Sequence, residues 1–270
     1  MADVSQARAH MPEGTNEVIN RRSLTASNKR LAELLRPGLS VLDVGCGSGA
    51  ITVGMAEAVG PQGEAIGVDV NERLISDANR QHAKPDGSLR FEVADIYALP
   101  FKERFDVVTA ARVLQWLARP EEALQQIVEA AKTGGQVLVL DYNHEKIAWE
   151  PEPPAAFRRF YEQFLKWRAD SGMRNGIADE LARMFEAAGL SDIVVTVQSE
   201  TTRRGDPGFD QGAGIGIWAE VAASRGHQLV ADGYLTEAER SAAEASYRSW
   251  VATEAVSQTM YLLAVEGKRA

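Results

Sequence analysis

The residues best suited to chemistry lie at the ends of apolar runs. Gly45, Gly47 and Gly49 alternate directly after Val41-Leu42-Asp43-Val44 and before the helical pattern Ile51-Thr52-Val53-Gly54-Met55-Ala56. A strand that turns on glycines into a helix leaves backbone N–H groups free and lets a ligand approach the chain closely. Gly45, Gly47 and Ala50 also satisfy G-x-G-x-x-G/A, which taken alone describes a dinucleotide loop or a plain tight turn. Asp69 ends the next apolar run, Ala65-Ile66-Gly67-Val68-Asp69-Val70. An acid about twenty residues beyond such a loop is placed to accept hydrogen bonds from a ribose diol. The competing role is to cap the helix starting at Glu72, for which Asn71 is better placed. Asp95 follows the run Leu89-Arg90-Phe91-Glu92-Val93-Ala94 and suits either a purine amine, with Ile96 beneath the ring, or a turn. His144 closes Asp141-Tyr142-Asn143-His144 after a further strand and is the leading candidate for a general base, against a packing role. Arg21 and Arg22 are either surface charge or partners for a ligand carboxylate.

These residues need a parallel sheet to bring them together. Apolar strands are expected at 40–44, 65–70, 89–94, 105–110 and 136–141, with helices between them. The helix opened by Pro120, Glu121 and Glu122 should run to Lys132 and stop at Thr133-Gly134-Gly135. A single helix should start near Ser23 or Thr25 and end at Pro37-Gly38. No strand is expected from Tyr142 to Ile177, where Phe157, Phe160, Tyr161, Phe164 and Trp167 recur at helical spacing. A helix over 178–190 and a strand at 193–197 return to the sheet. A glycine-rich loop then precedes helices near 215–231 and 237–254, the second with a capping box from Thr236 to Glu239. The last strand is expected at 258–265.

Composition narrows the function classes. Asp and Glu number 38 against 29 Lys and Arg, a net charge of −9, which argues against a dedicated nucleic-acid or anionic-membrane surface. One cysteine, Cys46, excludes an intramolecular disulfide and suggests a reducing, cytoplasmic setting. Met1-Ala2-Asp3-Val4-Ser5-Gln6 has no basic stretch followed by an apolar one, so no signal peptide is expected. No His/Asp/Glu cluster has metal-ligand spacing, so no metal is expected. His10, His82 and His227 are more weakly placed than His144.

Taken in order, these motifs resemble the class I S-adenosylmethionine-dependent methyltransferases, and within them the small-molecule branch related to ubiquinone and menaquinone biosynthesis. The carrying residues are Val41 to Gly49, Gly67-Val68-Asp69, Ala94-Asp95 with Leu99-Pro100-Phe101, Phe105-Asp106-Val107-Val108, Arg112-Val113-Leu114-Gln115-Trp116-Leu117 and Gly134-Gly135-Gln136-Val137-Leu138. The resemblance implies a doubly wound α/β fold, Rossmann-like, with seven strands, the last antiparallel. It implies S-adenosyl-L-methionine as cofactor. Gly45, Gly47 and Gly49 would line its methionine part beside Asp43, with Cys46 as an inert small residue. Asp69 would hold the ribose and Val70 would touch the adenine, framed by Ala94, Asp95 and Ile96. Ala111 and Arg112 would sit near the sulfonium. The chain is then one methyltransferase domain: an N-terminal helical arm over 1–38, a cofactor-binding core over 39–144, helical cap insertions over 145–177 and 199–257, and the rest of the core over 178–198 and 258–267. The caps would close an apolar pocket for a small-molecule acceptor, with the loop at 201–214 as a moving lid, or would instead form a homodimer interface. A nicotinamide-dependent oxidoreductase and a non-catalytic cofactor-binding scaffold are the rival readings.

Overall fold

In the computed structural model, which describes residues 22–210 and 214–270 together with Arg8, the apolar runs form the sheet. Strands β1 (Ser40–Val44), β2 (Glu64–Asp69), β3 (Leu89–Val93), β4 (Phe105–Ala111), β5 (Ala131–Tyr142), β7 (Leu190–Val197) and β10 (Leu262–Arg269) lie in the order β3-β2-β1-β4-β5-β10-β7. The first five pair in parallel, and β10 runs antiparallel between β5 and β7. β1, β2 and β4 are buried over most of their length, as a sheet covered by helices on both faces requires. The covering helices are α3 (Ala50–Val59), α4 (Glu72–His82), α5 (Pro120–Ala130) and α7 (Ile177–Ala187). Asn71 caps α4 by accepting from the Leu74 N–H.

Several boundaries differ from the sequence reading. The N-terminal helix is two short ones, α1 (Leu24–Ser27) and α2 (Lys29–Leu34), because Asn28 leaves helical geometry and caps the second. Helix α5 stops at Ala130 and not Lys132, since Ala131 already pairs with Phe105. The register then slips between Phe105 and Val107, where Gly134 adopts positive φ. A second sheet joins β6 (Ala148–Glu150) and β8 (Glu200–Arg203), both on ground expected to hold no strand, to β9 (Ser257–Met260), and Tyr261 divides the expected last strand into β9 and β10. The helix near 215–231 is also two, α8 (Ile217–Ser224) and α9 (Gly226–Ala231).

The long aromatic helix is α6 (Ala155–Ala169), and it packs with α10 (Glu237–Thr253) and α8 in one apolar cluster. That cluster includes Leu140 and Tyr142 of β5 and Leu262 and Ala264 of β10, so this helical layer rests directly on the sheet. The segment expected as a lid is held in its described part. Arg204 donates to the carbonyls of Val251 and Ala255, and Phe209 is buried beneath its guanidinium. Gln211 to Ala213, His10 and Arg21 lie outside the described residues.

Leu24 and Leu31 pack α1 and α2 against the sheet, and an ion pair adds to that hold. Glu266 of β10 is buried and receives two hydrogen bonds from Arg30, at 2.6 Å each. Arg30→Ala strands a buried carboxylate and should cost about 2 kcal/mol of stability, read as a lowered urea midpoint at unchanged slope.

Candidate functional site

The glycine turn after β1 is built by close contacts that exclude side chains. Gly45 and Cys46 donate their N–H groups to the Val68 carbonyl at 2.7 and 3.0 Å, which folds the turn against β2. A Cβ on Gly45 would lie 2.4 Å from Val113 Cγ2, and one on Gly49 would lie 2.4 Å from the Phe91 ring. Gly45, Gly47 and Gly49 all have positive φ, a region costly for residues with a Cβ. The result is a tight cradle, free of side chains at its three glycines, opening at the start of α3.

Asp69 stands at the tip of β2 and accepts from the Gly47 N–H at 3.0 Å and the Asn71 N–H at 2.9 Å. The same acid therefore fixes the cradle, and each of its oxygens keeps a lone pair for a further donor. Burial raises its pKa against hydrogen bonds from the Asn71, Gly47 and Val70 N–H groups. The Asp69 carbonyl takes the Ala94 N–H, which draws the tips of β2 and β3 together. Val70, 67 % exposed, stands beside partly buried Ala94 and Ile96 and offers an apolar surface at that edge. Asp95 is exposed and accepts from the Tyr97 N–H, so it does make the turn. Cys46 is buried against Gly67, and burial pushes its thiol well above the usual range. Among the described residues no His/Cys/Asp/Glu group could hold a metal ion.

Asp43 lies beneath the cradle, 4 % exposed, and accepts from Thr52 Oγ1 at 2.7 Å. Burial pushes its pKa up to about 6, the Thr52 hydrogen bond opposes this, and the Asp69 charge adds to it.

At the end of β4, Ala111 is half-buried and Arg112 is buried with φ of 63°. Its Nε donates to the Tyr142 hydroxyl at 2.8 Å, and its Nη2 donates to the Ser27 carbonyl and pairs with Glu200 of β8. Its Nη1 has no partner among the described residues. Burial works against the Arg112 cation, but Tyr142, Glu200 and Asp141 outweigh it. Arg22 is pushed the other way, by burial and then by the like charge of Arg112. Two cations and an unused donor therefore face the same corner, an arrangement suited to an anion.

His144 is buried in the layer above the sheet. Tyr161 donates to its carbonyl at 2.7 Å, and the rings of Tyr142, Phe164 and Trp218 lie 5.4, 6.1 and 6.1 Å away. Its Nε2 sits 2.5 Å from Gln115 Oε1, while its Nδ1 has no partner among the described residues. Burial, then the Arg168 charge, hold the ring well below its ordinary pKa, so it is neutral. Gln115, Tyr142, Arg168 and Glu200 had no role in the sequence reading. Two of them left a trace: Gln115 is polar between Leu114 and Trp116, and Arg168 falls one helical turn beyond Phe164 on the buried stripe.

Comparison with known proteins gives a consistent picture. A family model described as a methyltransferase domain matches residues 35–189. The ubiquinone/menaquinone biosynthesis C-methyltransferase UbiE of Burkholderia vietnamiensis is 31 % identical over 175 residues, covering 59 % of this chain and 70 % of that protein. A 37.1 kDa protein in transposon TN4556 of Streptomyces fradiae is 30 % identical over 194 residues, 71 % of this chain. The alignment covers 54 % of that relative, so this chain spans about half its length. The solved structure of the YcgJ protein from Bacillus subtilis shares the fold, with a TM-score of 0.57 at 18 % identity over 90 % of this chain and 97 % of that one.

The raised Asp43 pKa gives a pH test. The unfolded acid ionises near pH 3.9 and the folded one near 6, so the native state loses stability as pH rises between those values. Asp43→Asn keeps an acceptor for Thr52 without the buried charge. Its melting temperature should gain on the wild type from pH 4 to 6.5 and then stay parallel, a difference on the order of 2 kcal/mol. Parallel curves throughout would place the Asp43 carboxyl at its unfolded pKa.

Proposed function

The chain belongs to the class I S-adenosylmethionine-dependent methyltransferases, and from that premise we propose that it methylates a small aromatic or apolar acceptor, with His144 taking the proton the acceptor loses. The nicotinamide and scaffold readings fall with that membership. When bound, S-adenosylmethionine supplies a methyl group already activated on a positive sulfur. The residues fit it: three glycines at positive φ bring bare backbone to the start of α3, with the Asp69 carboxylate held beside it by the Gly47 N–H. We assign the ribose to Asp69, the adenine to Val70, Ala94, Asp95 and Ile96, and the methionine part to the cradle above Asp43. The Arg22 guanidinium and the unused Arg112 Nη1 are the donors for its carboxylate, at the corner that Ala111 borders. The outward-facing thiol-free surface and the buried Cys46 suit a cytoplasmic enzyme. Among the described residues no helix is long and apolar enough to cross a membrane.

The observation that carries the base assignment is the unpaired His144 Nδ1. Buried polar atoms almost always have partners, and one without is a place where a ligand atom belongs. Around it Tyr142, Tyr161, Phe164 and Trp218 suit an aromatic or apolar acceptor and exclude water. The enzyme's main task is to hold the acceptor in line with the methyl group. As the new bond to carbon forms and the sulfur–carbon bond breaks, the acceptor's remaining proton becomes strongly acidic. A weak base suffices for it, so a neutral imidazole of depressed pKa fits the step.

Turnover of methyl-labelled S-adenosylmethionine against hydroxylated aromatics tests this reading. His144→Gln should lower kcat about 100-fold and leave adenosylhomocysteine affinity unchanged, and the wild-type rate should not fall between pH 8 and 6.5. Undiminished turnover in the variant removes His144 from the reaction. Asp69→Ala should weaken adenosylhomocysteine binding in calorimetry by about 1.5–3 kcal/mol, through the lost charge-assisted hydrogen bonds.

A further inference from the structure

The environment of His144 contains more than the ring itself. Arg168, at 0 % exposure, is fixed from several sides. Its Nε donates to Asn175 Oδ1 at 2.9 Å, and its Nη2 donates to the Gln115 carbonyl at 2.9 Å and to Gln115 Oε1 at 3.3 Å. Its guanidinium lies over the Trp116 ring at 4.5 Å. A guanidinium has donors only. The Gln115 side-chain atom facing it must therefore be the oxygen.

The other end of the amide agrees. Gln115 Nε2 faces the Arg112 carbonyl at 3.4 Å, where only a donor is useful. A flipped amide would set donor against donor at Arg168 and acceptor against acceptor at Arg112. The Gln115 main chain is held as well, its N–H donating to Asp141 Oδ2 at 3.1 Å. The orientation of Gln115 is thus dictated by its neighbours on both sides.

That orientation decides the state of the imidazole. Gln115 Oε1, 2.5 Å from His144 Nε2, can only accept, so Nε2 must carry the hydrogen. A neutral ring with its hydrogen on Nε2 has its lone pair on Nδ1, the atom without a partner. We propose that Arg168 and Gln115 are positioning residues that lock His144 in the Nε2–H tautomer and so reserve the Nδ1 lone pair for the acceptor's proton. The use of that lone pair rests on the base reading above; the lock itself does not. The ionisable groups around the ring are Arg168 from α6, Asp141 and Tyr142 from β5 and Tyr161 from α6. The nearest cation is Arg168, which also disfavours a second proton on the ring.

Nitrogen-15 NMR of histidine-labelled full-length protein, saturated with adenosylhomocysteine, tests the lock without any acceptor. The chain has four histidines, and His144→Gln assigns the signal. The wild-type ring should show a protonated Nε2 and a bare Nδ1 from pH 6 to 8. Gln115→Leu removes the acceptor and should give a mixture of tautomers, with adenosylhomocysteine still raising the melting temperature. Gln115→Glu keeps an acceptor and adds a negative charge, so it should retain the Nε2–H form and raise the ring pKa by at least one unit. Should the leucine variant not fold, the glutamate variant alone decides through that shift. A wild-type ring protonated on Nδ1, or a glutamate variant with unchanged titration, overturns the proposal. A correct tautomer in a protein whose His144→Gln variant turns over normally would keep the lock and reject the base.

Discussion

The contact on which this site depends is the approach of Gly45 to Val113. With no Cβ on Gly45, the turn after β1 lies directly against the residue that follows Arg112. Any larger side chain there would push the turn and the exit of β4 apart. From Val113 the chain runs through Leu114 to Gln115, whose side chain reaches His144. The cradle and the imidazole therefore belong to one contiguous set of contacts. Methyl transfer needs that property, because its rate depends on holding two reactants in line.

A second constraint is charge inside the helical layer. Arg168, Arg225 and Arg240 are all buried. Arg168 and Arg225 both lie over Trp116, at 4.5 and 4.1 Å from the ring centroid. Burial drives Arg168 down to about 10 and Arg225 to about 9, so both stay charged at neutral pH at a cost in folding energy. Hydrogen bonds to carbonyls and the face of Trp116 offset that cost. Apolar side chains of the same volume would pack more cheaply. The fixed polar orientations at Gln115 and His144 are what the charges provide instead.

Much of this was legible in the sequence. The glycine turn, Asp69 and the order of the strands follow from local pattern, and so do the caps at Asn71 and Thr236. What escaped was of two kinds. Strands β6 and β8 are only three and four residues long, and their pairing with β9 is seen only once distant segments meet. Asn28 falls inside the single helix expected between Ser23 and Pro37, but its side chain competes for the backbone and breaks that helix. The roles of Gln115 and Arg168 were hidden because each is defined by a partner 53 residues away. Arg22 needed the opposite information, namely that a second cation stands beside it.

Tyr261 is a single residue between β9 and β10, yet it joins two sheets. The strand that completes the small sheet continues directly into the one inserted between β5 and β7. The helical layer is therefore anchored by the chain itself at its last crossing, and by β6 shortly after β5 at its first. For a lineage this has a plain effect. Side chains of α6 and of α8 to α10 can vary while both seams stay intact, so this layer can change without disturbing the glycine turn. A recombinant that exchanged this layer would have to inherit both seams together, since a crossover within 257–269 would separate the roof from the wall that carries it.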